Sequence, residues 1–190
     1  MHEIEPYFGW RSLYVSEKDP YSPFYGKEHS LFEFTEAIYG HCIHPQWDFI
    51  GSETLYIKIL FCDYQDGFCA IELIGEWNDT LHNDIMHLKR NIIEHLQMNG
   101  IDKFLLIGEN VYNFHFSDDC YYEEWFDELE EGWIVALGFQ EFILEEWENH
   151  SLDYYINYGG SLDFINWRTL KPKVLFQKID QLISSRIELK

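Results

Sequence analysis

From Thr54 onward, apolar and polar residues fall into short regular blocks. "TLYIKILFC" alternates, with Leu55, Ile57 and Ile59 on one side, which is the period of a strand. "DYQDG" reads as a turn, and "FCAIELIGEW" as the strand returning from it in an antiparallel hairpin. In "NDTLHNDIMHLKRNIIEHLQMNG", Leu81, Ile85, Leu88, Ile92 and Leu96 recur at helical spacing. Asp79 or Thr80 suits the N-cap of that helix, and Gly100 the position just past its end. "DKFLLIGEN" is an apolar strand of the kind buried on both faces. "SDDCYYEEWFDELEE" predicts a second helix, "GWIVALGF" a strand, "QEFILEEWENHSL" a third helix and "DYYINYGG" a further strand. "TLKPKVLFQKIDQLISSRIELK" closes the chain as a helix, with Pro172 in its first turn and Val174, Ile179, Leu182 and Ile183 on its apolar side.

This order predicts an α/β fold. Its mixed sheet opens with an N-terminal β-hairpin and continues as alternating helices and parallel strands. Residues 1–53 have no sustained period. They are rich in rings and in Pro, Gly and Ser, and read as an aromatic-rich N-terminal arm packing on an α/β domain at 54–190.

Charge narrows the partners. With 34 acidic and 13 basic residues the formal net charge is −21, which repels phosphate backbones and anionic membranes and favours a basic protein partner or a cation. No apolar run approaches a membrane span, and "MHEIEPYFGW" lacks the features of a signal peptide, so a cytoplasmic location is expected. Cys42, Cys62, Cys69 and Cys120 form no C-x-x-C pair and read as reduced thiols; Cys62 and Cys69 flank the hairpin turn and can face each other as small buried residues. His41 and His44 in "HCIHP" are at most half of a zinc site, because no second ligand pair with metal spacing follows. No P-loop, G-x-S-x-G or G-x-G-x-x-G is present, and no resident cofactor is expected.

The β-β-α-β-α-β-α-β-α order over residues 54–190 resembles the STAS-type fold of anti-sigma factor antagonists and their SpoIIAA-like relatives. That resemblance implies a non-catalytic binding or regulatory module. It also implies a phosphorylatable Ser or Thr at the start of the second helix, about where Ser117 stands in "FHFSDDCYY". The flanking Gly usual there is replaced by acidic residues, and an N-cap is the simpler role for Ser117. The phrases "HPQWDF", "IELIGEWND", "DDCYYEEW" and "INWRTLKP" are similar to those of an uncharacterised family of bacterial proteins, which implies a bacterial, cytoplasmic origin.

In open α/β sheets, ligands gather outside the carboxyl ends of the strands. Glu76, Trp77, Asn78 and Asp79 come from one such loop, and Glu109, Asn113, His115, Ser117 and Asp118 from the next. Trp167 and Arg168 fall on the same edge, Arg168 as a clamp for a carboxylate or as a salt bridge to the acidic loops. Two main readings follow. In the first, the chain is a STAS-like protein-binding module, with Trp77, Asn78, Asn113, Ser117, Trp167 and Arg168 at the binding edge. In the alternative, Glu76, Asp79, Glu109, His115 and Asp118 converge as a metal-assisted or acid–base site. A third class is an acidic mimic of nucleic acid.

Overall fold

The structure is a computed structural model that describes residues 4–30 and 32–187. Residues 1–3 and 31 of the expected arm, and 188–190 of the expected last helix, lie outside the described residues. A small antiparallel hairpin joins β1 (Ala37–Ile38) to β2 (His41–Cys42). The main sheet contains β3 (Asp48–Phe49), β4 (Leu55–Asp63), β5 (Phe68–Asn78), β6 (Lys103–His115) and β7 (Trp133–Leu137), in that spatial order. β3, β4 and β5 pair antiparallel, whereas β5, β6 and β7 pair parallel, so the α/β class and the mixed sheet are present.

Neighbouring order in the parallel part puts every crossover on one face. A continuous helix formed by α1 (Asp84–Leu88), a wide π turn (Lys89–Ile93) and α2 (Glu94–Met98) links β5 to β6. α3 (Cys120–Asp127) links β6 to β7, and α4 (Glu141–Asn149) follows β7. Their apolar residues meet Ile57, Ile71, Leu106 and Ile134 from the sheet in the larger core cluster. α5 (Pro172–Ile187) covers the opposite face through Leu175, Ile179 and Ile183. Trp10 from the N-terminal segment joins that second cluster and stands edge-on to Trp167.

The π turn explains an oddity of the first helix. One extra residue in the turn lets Ile92 and Ile93 both enter the core and buries Lys89 fully. The Lys89 ammonium still reaches Glu128 of the α3 end at 2.6 Å and Glu94 at 3.2 Å. Gly75 meets a different demand. Its φ is +119°, and a Cβ there would lie 2.0 Å from the Thr54 carbonyl oxygen, so only glycine lets β5 run this close to the entry of β4.

Several expectations need correction. Leu81 is 76% exposed because the helix starts at Asp84, after a left-handed residue at Asn83, and Leu81 precedes its apolar stripe. Val174 is also exposed, and Leu175 takes the core position on α5. Glu76–Asn78 and Asn113–His115, expected in loops, are strand and pair with each other to the sheet edge. "DYYINYGG" keeps one bridge, Val135 to Asn157; a short 3-10 turn at Leu152–Tyr154 and the left-handed Gly159 leave too little extended chain for a strand. Cys62 and Cys69 do face each other across β4 and β5, with both thiols free.

Candidate functional site

At the carboxyl edge of β5 and β6, side chains alternate between the two faces of the sheet. This alternation divides the expected site into separate environments.

Glu76, Asn78, Asn113 and His115 share the first. His115 Nε2 lies 2.8 Å from Glu76 Oε1, Asn78 donates to the same oxygen at 2.9 Å, and Asn113 Nδ2 is 3.1 Å from His115 Nε2. His115 is about half exposed, whereas Glu76 is nearly buried. A carboxylate paired with an accessible imidazole can accept and pass a proton.

Asp79 belongs to the second, inside the larger core. Its carboxylate accepts from the Tyr122 hydroxyl at 2.6 Å, the Trp77 indole at 3.1 Å and the Ile85 amide at 2.8 Å. It therefore satisfies the helix start from six residues away. Burial raises its pKa to about 7, with the neighbouring Asp84 adding to the rise and the Tyr122 and Ile85 hydrogen bonds opposing it. Trp77 is fully buried and stacks on Tyr122, so it is a core residue of β5 rather than a loop residue. Removing the Tyr122 hydroxyl takes a donor from a buried carboxyl group. Tyr122→Phe is expected to cost about 1–2 kcal/mol, read as a lower urea midpoint at unchanged slope.

Glu109 holds the third environment together. Trp167 Nε1 donates to its Oε1 at 2.7 Å and Arg168 Nη2 to its Oε2 at 2.5 Å, while the Arg168 guanidinium lies over the rings of Trp167 and Tyr7. Arg168 is thus the structural clasp, bound to an acidic strand residue and two rings. Beneath it Glu72 is fully buried, accepts the Tyr7 amide at 2.6 Å and leaves Oε1 3.8 Å from Arg168. Burial pushes the Glu72 carboxyl up to about 7; the Tyr7 amide and Arg168 resist, and Glu109 adds to the rise.

Ser117 and Asp118 stand apart from all three. Both are exposed, and α3 begins at Cys120, so Ser117 is not the N-cap. Asp118 turns back to accept the Cys120 amide at 3.1 Å.

A further cluster lies between the N-terminal segment and β3–β4, and the sequence reading missed it. Lys58 hydrogen-bonds Glu17, lies 3.1 Å from Asp48 Oδ2 and sits 3.3 Å from His29 Nε2. His29 is 2.7 Å from Glu17 and 3.1 Å from Asp48, and Lys27 is 3.0 Å from Asp48. The signals were Lys58, a lone charge inside an apolar strand, and Asp48 beside Trp47. The hydrogen bonds to Asp48 and Glu17 raise the His29 imidazole above its ordinary value, against burial. Burial would raise the Glu17 and Asp48 carboxyls, but His29 and the lysine charges outweigh it and hold both below the usual range. Ligand-type atoms of Glu17, His29 and Asp48 lie within 4.8 Å of one another, a spacing a divalent cation accepts. The two ammonium groups supply the positive charge there instead.

The outer sides of α3 and α4 form the last candidate. No Lys or Arg occurs between Lys103 and Arg168. Lys89 and Arg90 bind the inner flank of α3 through Glu124 and Glu128. Outside that flank Glu123, Asp127, Glu130, Glu131, Glu141 and Glu145 are exposed, without a cationic partner among the described residues. The two elements are tied together where Tyr155, just past α4, donates to Asp119 at 2.9 Å and rings of Tyr154 and Tyr155 meet Phe126. Tyr154, whose ring packs on Phe126 of α3, is 72% exposed.

Compared with known proteins, the chain matches no protein-family model and no curated protein. Among the described residues, no helix is long and apolar enough to cross a membrane.

Proposed function

We propose that the chain is a non-catalytic protein-binding or regulatory module of STAS-like type, acting in a bacterial cytoplasm on a basic partner. The observation that carries this reading is the α3–α4 surface. It joins exposed carboxylates to an exposed aromatic ring, and no Lys or Arg among the described residues pairs with them. Charge of one sign steers a basic partner, and an exposed ring supplies an anchor once it has arrived. The order hairpin, helix, strand, helix, strand, helix through α4 supports the STAS-like part of the reading, whereas the strand expected before α5 is reduced to one bridge. The negative field disfavours nucleic acid.

The test is titration with a fluorescent Lys/Arg-rich peptide at low and at physiological salt. Binding is expected at low salt, weakening as salt rises. The double reversal Asp127→Lys/Glu145→Lys is expected to weaken it by roughly tenfold or more. Equal binding by the wild type and the reversed variant would count against the proposal.

The Glu76–His115 pair supports a second reading, an acid–base site at the sheet edge. It ranks lower because Asp79, Glu109 and Asp118 are turned to other partners.

A further inference from the structure

Near the tip of the β4–β5 hairpin, Cys62 and Cys69 are directly opposed across an antiparallel pair. Opposed Cα atoms in such a pair are about 4.5–5.5 Å apart, inside the range of about 4.4–6.8 Å that a disulfide spans. Their sulfurs are 3.2 Å apart and need to close by only about 1 Å to bond. The two thiols differ in access. Cys69 is fully buried, and burial pushes its thiol well above the ordinary range, so it stays protonated. Cys62 keeps slight exposure and lines a cleft of about 580 Å³ between the hairpin tip and the start of α5. Leu13, Tyr64, Lys171 and Lys173 are among the other lining residues. Lys173 pairs with Asp63 at 2.9 Å, and Lys171 has no carboxylate partner among the described residues. In a chain of net charge −21, this cleft offers a small anion an ammonium, Lys171, that no carboxylate among the described residues pairs with. Tyr14 and Tyr64 both donate to Asp19, at 2.7 and 2.6 Å, which ties the N-terminal segment to this tip.

We infer that Cys62 and Cys69 are a reversible dithiol–disulfide site, oxidised by exchange with a small anionic disulfide that enters the cleft beside Cys62. Cys62 is the attacking group. Its sulfur displaces one thiol from the incoming disulfide, giving a mixed disulfide at Cys62 and one released thiol that carries the Cys62 proton. Cys69 then attacks the Cys62 sulfur, the second thiol leaves with the Cys69 proton, and the Cys62–Cys69 bond closes. Two electrons pass from the protein to the small disulfide, which is reduced to two thiols. The bond staples the hairpin tip.

The test exposes the native full-length chain to oxidised glutathione and maps its thiols by differential alkylation and peptide mass. The expected result is a peptide cross-linked at Cys62–Cys69, a melting temperature raised by several degrees, and reversal of both by dithiothreitol. The same cross-link is expected in Cys42→Ala/Cys120→Ala, which leaves the pair intact and removes the more accessible thiols. In Cys69→Ala, glutathione is expected to remain trapped on Cys62. Should that variant fail to fold, the Cys42→Ala/Cys120→Ala chain still decides the matter. Glutathione found only on Cys42 or Cys120, with Cys62 and Cys69 alkylated only after unfolding, would overturn the inference.

Discussion

Lys58→Ala is expected to destabilise the protein by roughly 3–5 kcal/mol, the usual cost of breaking a buried ion pair from one side. Lys58 is nearly buried, and its ammonium serves Glu17 and Asp48 together, with Asp48 fully buried. Without it, two carboxylates share His29 and the half-exposed Lys27. The N-terminal segment is joined to β3 and β4 through this cluster, so its local opening should also become easier, read as faster amide exchange around Glu17 and His29. Lys58→Met/Asp48→Asn removes both charges at once and is expected to recover a large part of the loss. The check is the urea midpoint of the three chains, and a single-variant cost below about 1 kcal/mol would place the cluster among ordinary surface pairs.

The second large effect is on pH. Glu72 and Asp79 have ordinary values near 4.5 and 3.8, and both are raised to about 7 in the folded chain. Between those values the folded state holds protons that the unfolded chain has released. Stability from these groups is therefore full below about pH 4 and is lost as pH rises to about 7 and beyond. Each contributes a loss of roughly 3–4 kcal/mol by pH 8. His29, also raised, loses its contribution in the same direction, above its ordinary value near 6.5. Glu17 and Asp48 are lowered, so their contribution is present above the ordinary carboxylate range and lost as pH falls below it. Together these groups place the stability maximum at about pH 4–4.5, with a decline of several kcal/mol by pH 8. Glu72→Gln removes one ionisation, so it should flatten part of that decline and exceed wild type in stability at pH 8. Urea unfolding across the range decides it: a wild-type chain no less stable at pH 8 than at pH 5 contradicts the assignment.

How much could be read in advance varies by element. The hairpin and the helix over 84–98 were legible because their apolar residues keep a period, and Ile85, Leu88, Ile92 and Leu96 all reach the core; β7 was legible as the unbroken apolar run Trp133–Leu137. The π turn was not, since Lys89 looks like a surface residue until Glu128 is found beside it. "VYNFHF" has no clear alternation; it is strand because Trp77 and Asn78 offer it a ladder, a tertiary effect that local pattern does not carry. The edge site was half legible. Glu76 and His115 do meet, but Asp79 lies one residue out of phase with Asn78 and points into the core. The Glu17–His29–Asp48–Lys58 cluster left only two signals, Lys58 in an apolar strand and Asp48 beside Trp47, because three of its members come from a segment without a period.

The proposed role of the acidic α3–α4 surface is to receive a basic partner. It is tested most directly by titrating the isotopically labelled full-length chain with a Lys/Arg-rich peptide at low salt and following backbone NMR shifts. Shifts are expected to concentrate at Glu123, Asp127, Glu141, Glu145 and Tyr154, with Glu76, Asn113 and His115 unmoved. Shifts centred on Glu76 and His115, or none at all, would contradict it.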